Sequence, residues 1–295
     1  MSKQYNVTEL PSNFYKNNLM FFEEKIDNEG NLFIDKSMKN RLGFLPSSLW
    51  KPDPTITKIL KNEINDTAQV RKTLNGNRSD RRNGVNNGKC SVFNPHLAQM
   101  VLSAYAPLNG KIYDAFGGGG TRGYIATKMG FEYTGVELRE EEYNRVKEQM
   151  KEWNIYFNFV LGDSIKYKPK EKFDFAFTCP PYYDLEVYSE MEEDLSNAKT
   201  YDEYLEMLKK VINNIYECLK EDCFAVFIVG NFRNKKGELV HLNGDLIRIS
   251  KEIGFKLWDE LIWQGASNVA LTRCGKFEKN RKSVRMHEYI IVLKK

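Results

Sequence analysis

From Val92 onward the chain repeats one unit. A short apolar run rich in β-branched and aromatic residues comes first, then a turn of glycine, proline or carboxylate, then a stretch with helical spacing. Runs at 111–116, 131–137, 157–161, 173–177 and 224–229 read as strands, and 96–104, 121–129, 140–153, 201–219 and 244–253 read as helices. Two last strands, 255–263 and 287–293, read as an antiparallel pair at one end of the sheet. Strands that alternate with helices predict a mostly parallel, seven-stranded α/β sheet with helices on both faces. Such sheets bind ligands outside the carboxyl ends of their strands, near the switch point. Gly117–Gly120, Glu137, Asp163 and Thr178–Tyr182 all fall at those ends.

Of these, Thr178-Cys179-Pro180-Pro181-Tyr182 is the most rigid. Two consecutive prolines remove two backbone donors and fix φ twice, so neither strand nor helix runs through them. The turn offers carbonyl oxygens and holds an aromatic ring at a set distance from the small side chain of Cys179. It suits a planar base with an amino group: acceptors for the amino hydrogens, a ring for the face. A proline-stiffened loop with a buried tyrosine is the plainer alternative.

At 295 residues, 41% hydrophobic and 28% charged, the chain can bury a sizeable core. It lacks a membrane-spanning run or a signal-peptide segment, which predicts a cytoplasmic protein with no membrane partner. Five cysteines without a Cys-x-x-Cys pair read as reduced thiols, and three scattered histidines argue against a metal site. The net charge of +4 says little, but its distribution says more. Arg71, Lys72, Arg78, Arg81, Arg82 and Lys89 fall in one stretch, and Arg273, Lys276, Lys279, Arg281, Lys282 and Arg285 in another. Both could neutralise a phosphate backbone, or be ordinary solvated loops. Residues 1–90 read as an irregular N-terminal extension ending in a basic loop, available for DNA contact or target recognition. In it, 55–65 suits one helix capped by Thr55 or Thr57. A catalytic domain fills 91–295, and the oligomeric state, monomer or homodimer, stays open.

The glycine turn lets backbone approach a ligand closely. Glu137 stands where an acidic residue meets ribose hydroxyls in dinucleotide folds, and Asp163 could accept from the amino group of adenine. No Gly-Lys-Ser/Thr follows the glycines, so a P-loop is excluded. Gly117, Gly119 and then Arg122 do not supply the Gly-x-Gly-x-x-Gly of a pyrophosphate site, Gly123 lying one residue later. An adenosine ligand without phosphate, S-adenosylmethionine (SAM), fits better.

Asp114-Ala115-Phe116-Gly117-Gly118-Gly119-Gly120-Thr121, then Glu137, Asp163 and the Cys179–Tyr182 turn resemble the ordered motifs of SAM-dependent DNA amino-methyltransferases, which methylate adenine N6 or cytosine N4. Phe93-Asn94-Pro95-His96 is similar to the segment preceding the glycine motif there, and His287–Val292 to the final strand. The resemblance covers roughly 92–295 and implies a Rossmann-like SAM-dependent methyltransferase fold. It implies that Phe93, Asn94, Pro95, Asp114, Phe116, Gly117, Gly118, Gly119, Gly120 and Thr121 line the methionine side of SAM. Glu137 would hold the ribose and Asp163 the adenine. Cys179, Pro180, Pro181 and Tyr182 would grip a base flipped out of duplex DNA, and Arg78, Arg81, Arg82, Arg273, Lys276, Lys279, Arg281 and Lys282 would contact its backbone.

An exocyclic amino group is a poor nucleophile because its lone pair is delocalised into the ring. Acceptors at its two hydrogens draw it towards tetrahedral geometry for in-line transfer. The Pro180 carbonyl and the residue-179 side chain are the expected acceptors. Residue 179 departs from the family's usual Asp, Asn or Ser. A thiol is a weak acceptor, and its likeness in size to Ser leans towards cytosine N4. An RNA or tRNA amino-methyltransferase and a non-catalytic nucleic-acid-binding protein keeping the fold are the alternatives.

Overall fold

The computed structural model describes residues 47–64, 92–183, 188–265, 277 and 280–295. Its main sheet follows from period-two burial. Ile112 of β2 (Lys111–Asp114), Phe175 and Phe177 of β5 (Phe173–Thr178), Val226 and Ile228 of β6 (Leu219–Val229), and Ile290 and Val292 of β10 (His287–Lys294) enter one core layer. Their neighbours Tyr113, Ala176, Ala225, Phe227, Ile291 and Leu293 enter a second layer on the opposite face. Helices α1 (Pro54–Ile64), α2 (Pro95–Tyr105) and α3 (Thr121–Lys128) cover the first. Helices α5 (Tyr201–Cys218) and α6 (Leu242–Ile253) cover the second through Leu208, Ile212, Ile215, Leu246 and Ile249. A charged helix, α4 (Glu140–Trp153), seats Val146 and Met150 against Phe159 of β4 (Asn158–Leu161).

The strand order is β1-β9-β10-β6-β5-β2-β3-β4, with β3 at Glu132–Glu137 and β9 at Lys256–Gln264. Pairings among β6, β5, β2, β3 and β4 are parallel, and β10 runs antiparallel to both β6 and β9. The sheet has eight strands rather than the expected seven. The addition, β1 (Leu49–Trp50), pairs parallel with β9, so residues ahead of the expected boundary at 90/91 are built into the sheet's edge. Two residues carry no periodicity to read. Trp50 is held instead by burial in the first core layer and by stacking on Tyr105 at 6.3 Å. A small hairpin, β7 (Phe232–Arg233) with β8 (Leu239–Val240), was equally invisible to periodicity. No helix among the described residues is long and apolar enough to cross a membrane.

Helix α1 starts one residue earlier than expected and is capped by Asp53, not by a threonine. Its Oδ1 accepts from the backbone N–H groups of Thr55 (2.8 Å) and Ile56 (3.0 Å), and Pro54 at the first helical position gives up no needed donor. The Asp53 N–H in turn donates to Nδ1 of His96 at 3.1 Å, tying this segment to α2. Burial lowers the His96 ring to about 4 from 6.5, against the opposing charge of Asp53. An unfolded chain therefore takes up a proton that the folded one refuses. Stability from this residue is full above pH 6.5 and is lost as pH falls through 4, by about 3 kcal/mol. Urea unfolding should show this slope in the native chain. His96→Asn, which keeps an acceptor and cannot titrate, should flatten it; an unchanged slope refutes the assignment.

Candidate active site

The chain lays down β2, β3 and β4 outward in one direction, then crosses back to place β5 on the other side of β2. That is the switch point, and a cavity of about 280 Å³ opens there at the strand carboxyl ends. Phe93, Asn94, Phe116, Gly117, Gly118, Gly119, Thr121, Glu137, Asp163, Cys179, Pro180, Pro181 and Tyr182 all stand on its wall. Pro95, Asp114 and Gly120 do not.

Three residues of the glycine turn differ in what a side chain would meet. A Cβ on Gly117 would lie 2.5 Å from Phe159 Cε2 and 3.2 Å from the Val136 carbonyl, so packing against β3 and β4 requires glycine. Gly120 caps α3 at φ 75°, with a would-be Cβ 3.0 Å from Val146. Gly118, at φ 53°, is the open one: its Cβ would meet nothing closer than the Phe116 carbonyl at 3.7 Å.

Asp114 is not a wall residue but a buried hub, 0% exposed. Its carboxylate accepts from Arg122 Nε (2.6 Å), the Tyr133 hydroxyl (2.6 Å), the Thr178 hydroxyl (2.7 Å) and the Phe116 N–H (3.0 Å). Arg122 also donates through Nη2 to the Phe116 carbonyl at 2.5 Å and lies over the Phe93 ring at 4.6 Å. Burial alone would lower the Arg122 pKa, but the adjoining Asp114 carries it above its ordinary value. One carboxylate thus fixes the start of the glycine turn, helix α3, strand β3 and the residue preceding Cys179. With a longer fifth bond from Arg122 Nη2 at 3.4 Å, its lone-pair sites are filled, and it stands off the cavity wall.

Behind the Cys179–Tyr182 turn lies an aromatic cluster of Tyr183, Tyr201, Tyr204 and Phe232. Tyr204 donates to the Pro181 carbonyl at 2.9 Å, which holds the turn against helix α5. No described residue donates to the Pro180 carbonyl. Tyr182 donates to Glu288 Oε1 at 3.1 Å, and burial followed by this carboxylate holds its phenol well above the usual tyrosine value. It is a neutral donor at any physiological pH.

The remaining predicted side chains take double roles. Asn94 lines the cavity while its Oδ1 caps α2, accepting from the His96 and Leu97 N–H groups at 2.9 and 3.3 Å. Glu137 accepts from the Arg139 N–H at 2.9 Å, and Asp163 from the Ile165 N–H at 2.8 Å. Sequence reasoning missed Arg122, Tyr188, Asp194, Ile228 and Glu288, all on the same wall. Asp194 is locked by Ser189 and Ser196 (2.8 and 2.7 Å), and Arg139 donates to the Tyr188 carbonyl at 3.4 Å, which ties this part of the wall together.

The predicted backbone contacts are split. Arg78, Arg81, Arg82, Arg273, Lys276 and Lys279 lie outside the described residues. Arg281 is exposed, and its backbone N–H donates to the Phe277 carbonyl at 2.7 Å. Lys282 reaches over Gly237 at the tip of the β7–β8 hairpin, whose carbonyl accepts from Arg233 at 3.0 Å. Arg285 is half-buried, and its pKa is lowered by burial and by Arg233. The hairpin therefore adds cations to this patch. No group of three or more His, Cys, Asp or Glu among the described residues could hold a metal ion.

A family model described as DNA methylase matches residues 173–295. The type II methyltransferase M.MjaVI of Methanocaldococcus jannaschii is 27% identical over 109 residues, 37% of this chain and 54% of that protein. The chain thus matches about half the length of this relative. Among solved structures, a methyltransferase from Pyrococcus furiosus is 14% identical with a TM-score of 0.48, covering 69% of this chain and 83% of its own. TrmN from Thermus thermophilus is 14% identical with a TM-score of 0.46, covering 69% and 49%. Likeness this remote says nothing of substrate. From Phe173, where the strand leading into the proline turn begins, to the end of its last strand, the chain is similar to the DNA methylases, and that match lies on a Rossmann-like, mostly parallel α/β sheet.

Proposed function

We propose that the protein transfers a methyl group from SAM to the exocyclic amino group of a DNA base, cytosine N4 in preference to adenine N6. The observation that carries this reading is the meeting of four strand ends in one cavity: the glycine turn, Glu137, Asp163 and the Cys179–Tyr182 turn. The cofactor half suits SAM. Gly118 leaves the wall open, Glu137 offers a carboxylate to ribose hydroxyls, and Asp163 offers one to an adenine amino group. When bound, SAM supplies an electrophilic methyl on sulfur. The chain's own residues do the rest: Pro180 and Cys179 face the amino hydrogens, and the Tyr182 ring takes the base. A base in duplex DNA has to be flipped out to reach them.

The test is transfer of radiolabel from SAM to mixed-sequence duplex DNA, with RNA in parallel, followed by nucleoside analysis. Label in a methylated cytosine or adenine of DNA is expected. Label in RNA alone would give the protein to RNA amino-methylation, and SAM binding without label in either would leave a non-catalytic binding protein. Within this reading Cys179→Ser should keep or raise turnover, since a hydroxyl accepts better than a thiol, and Cys179→Ala should lower it. For DNA contact we assign Arg281 and Lys282 with Arg78, Arg81, Arg82, Arg273, Lys276 and Lys279, joined by Arg233 and Arg285. Replacing Arg281 and Lys282 by alanine should flatten the log–log salt dependence of DNA binding by about 2. An unchanged slope removes them from the interface.

A further inference from the structure

Strand β10 brings one carboxylate to the pocket of the proline turn. Ile290 pairs with Ile228, and Glu288, two residues earlier on the same face, stands beside the end of β6. Gly230 borders both side chains: a Cβ there would make ordinary contacts with the Tyr182 hydroxyl at 3.5 Å and Glu288 Cγ at 3.9 Å. Glu288 and Cys179 share the cavity wall, with Tyr182 between them and hydrogen-bonded to the former. An amino group needs two good acceptors to localise its lone pair, and the turn supplies one, the Pro180 carbonyl, plus a thiol. Thiol sulfur accepts weakly, whereas carboxylate oxygens accept well, and Glu288 already accepts from the Tyr182 hydroxyl beside the turn.

We propose that Glu288 is the second acceptor for the amino group of the target base, a catalytic residue that supplies the oxygen missing at position 179. The inference rests on the reading of the site as an amino-methyltransferase. In the step, the amino lone pair forms the new N–C bond as the sulfonium S–C bond breaks and its electrons return to sulfur. The surplus proton on nitrogen passes to the Glu288 carboxylate and from there to solvent. A carboxylate accepting from the base also sets a preference for an amino over a carbonyl group, because a carbonyl oxygen there would be repelled.

Two readouts test this, one without turnover. Calorimetric binding, with S-adenosylhomocysteine present, compares cytidine with uridine and adenosine with inosine; the native protein should favour the amino-bearing nucleoside of at least one pair. Glu288→Met, of similar length without oxygen, should erase that preference and lower kcat by about 10²-fold, the scale of losing one positioned electrostatic contact. Adding Cys179→Ser should restore both, which no purely structural role of Glu288 predicts. A Glu288→Met variant that discriminates like the native protein, or a double variant no better than the single, overturns the proposal. Native protein with amino preference but no methyl transfer keeps the acceptor and overturns the reaction; native protein with neither overturns both.

Discussion

Asp114→Ala should unfold more readily than the native chain by about 3–5 kcal/mol, the cost of leaving a buried partner charge uncompensated. Arg122 would then stand 5% exposed with its main carboxylate gone, and the Tyr133 and Thr178 hydroxyls would lose their acceptor. The effect should reach the site from both sides. Arg122 Nη2 holds the Phe116 carbonyl at the head of the glycine turn, and Thr178 precedes Cys179. SAM affinity should therefore fall along with stability. Asp114→Ala combined with Arg122→Met removes both charges and should recover part of the stability but not the cofactor affinity. Unfolding curves of the two single variants and the double close the cycle. Strictly additive losses would mean that the pair is not coupled, and the hub would dissolve into separate contacts.

That hub also marks where sequence reading stopped. Strand ends were legible because period-two burial and the turns that follow it are local, so the glycine turn, Glu137, Asp163 and the proline turn were placed from residue order alone. Asp114 was expected on the cavity wall from the resemblance to the amino-methyltransferase motifs. What turns it inward are Arg122, Tyr133 and Thr178, 8, 19 and 64 residues away, which only the finished sheet brings together. Glu288 is a stronger case, 106 residues from its partner Tyr182 on a strand inserted between two others. The threonines expected to cap α1 lost to Asp53 because Pro54 already starts the helix, which leaves Asp53 in the cap position. Strand β1 had only Trp50's bulk to announce it.

Gly117→Ala should destabilise the fold by about 1–3 kcal/mol, the range for overpacking. The reason is not the ligand. A methyl at this position would sit 2.5 Å from the Phe159 ring, while the Gly117 N–H donates to the Val136 carbonyl at 2.7 Å and fixes the backbone against retreat. Phe159→Leu, which withdraws the obstructing ring edge, should therefore rescue stability in the double variant. Gly118→Ala makes the opposite case. Its Cβ meets only an ordinary contact with the Phe116 carbonyl at 3.7 Å, so the cost is the left-handed φ of 53°, about 1–2 kcal/mol, and the methyl would stand on the wall where the cofactor is proposed to lie. Gly118→Ala should thus lose SAM affinity that Phe159→Leu cannot restore. Thermal unfolding and SAM titration of these variants separate the two glycines. If Phe159→Leu fails to relieve Gly117→Ala, the Gly117 requirement comes from something other than the strand β4 ring. If Gly118→Ala binds SAM as the native chain does, the cofactor does not run along the glycine turn.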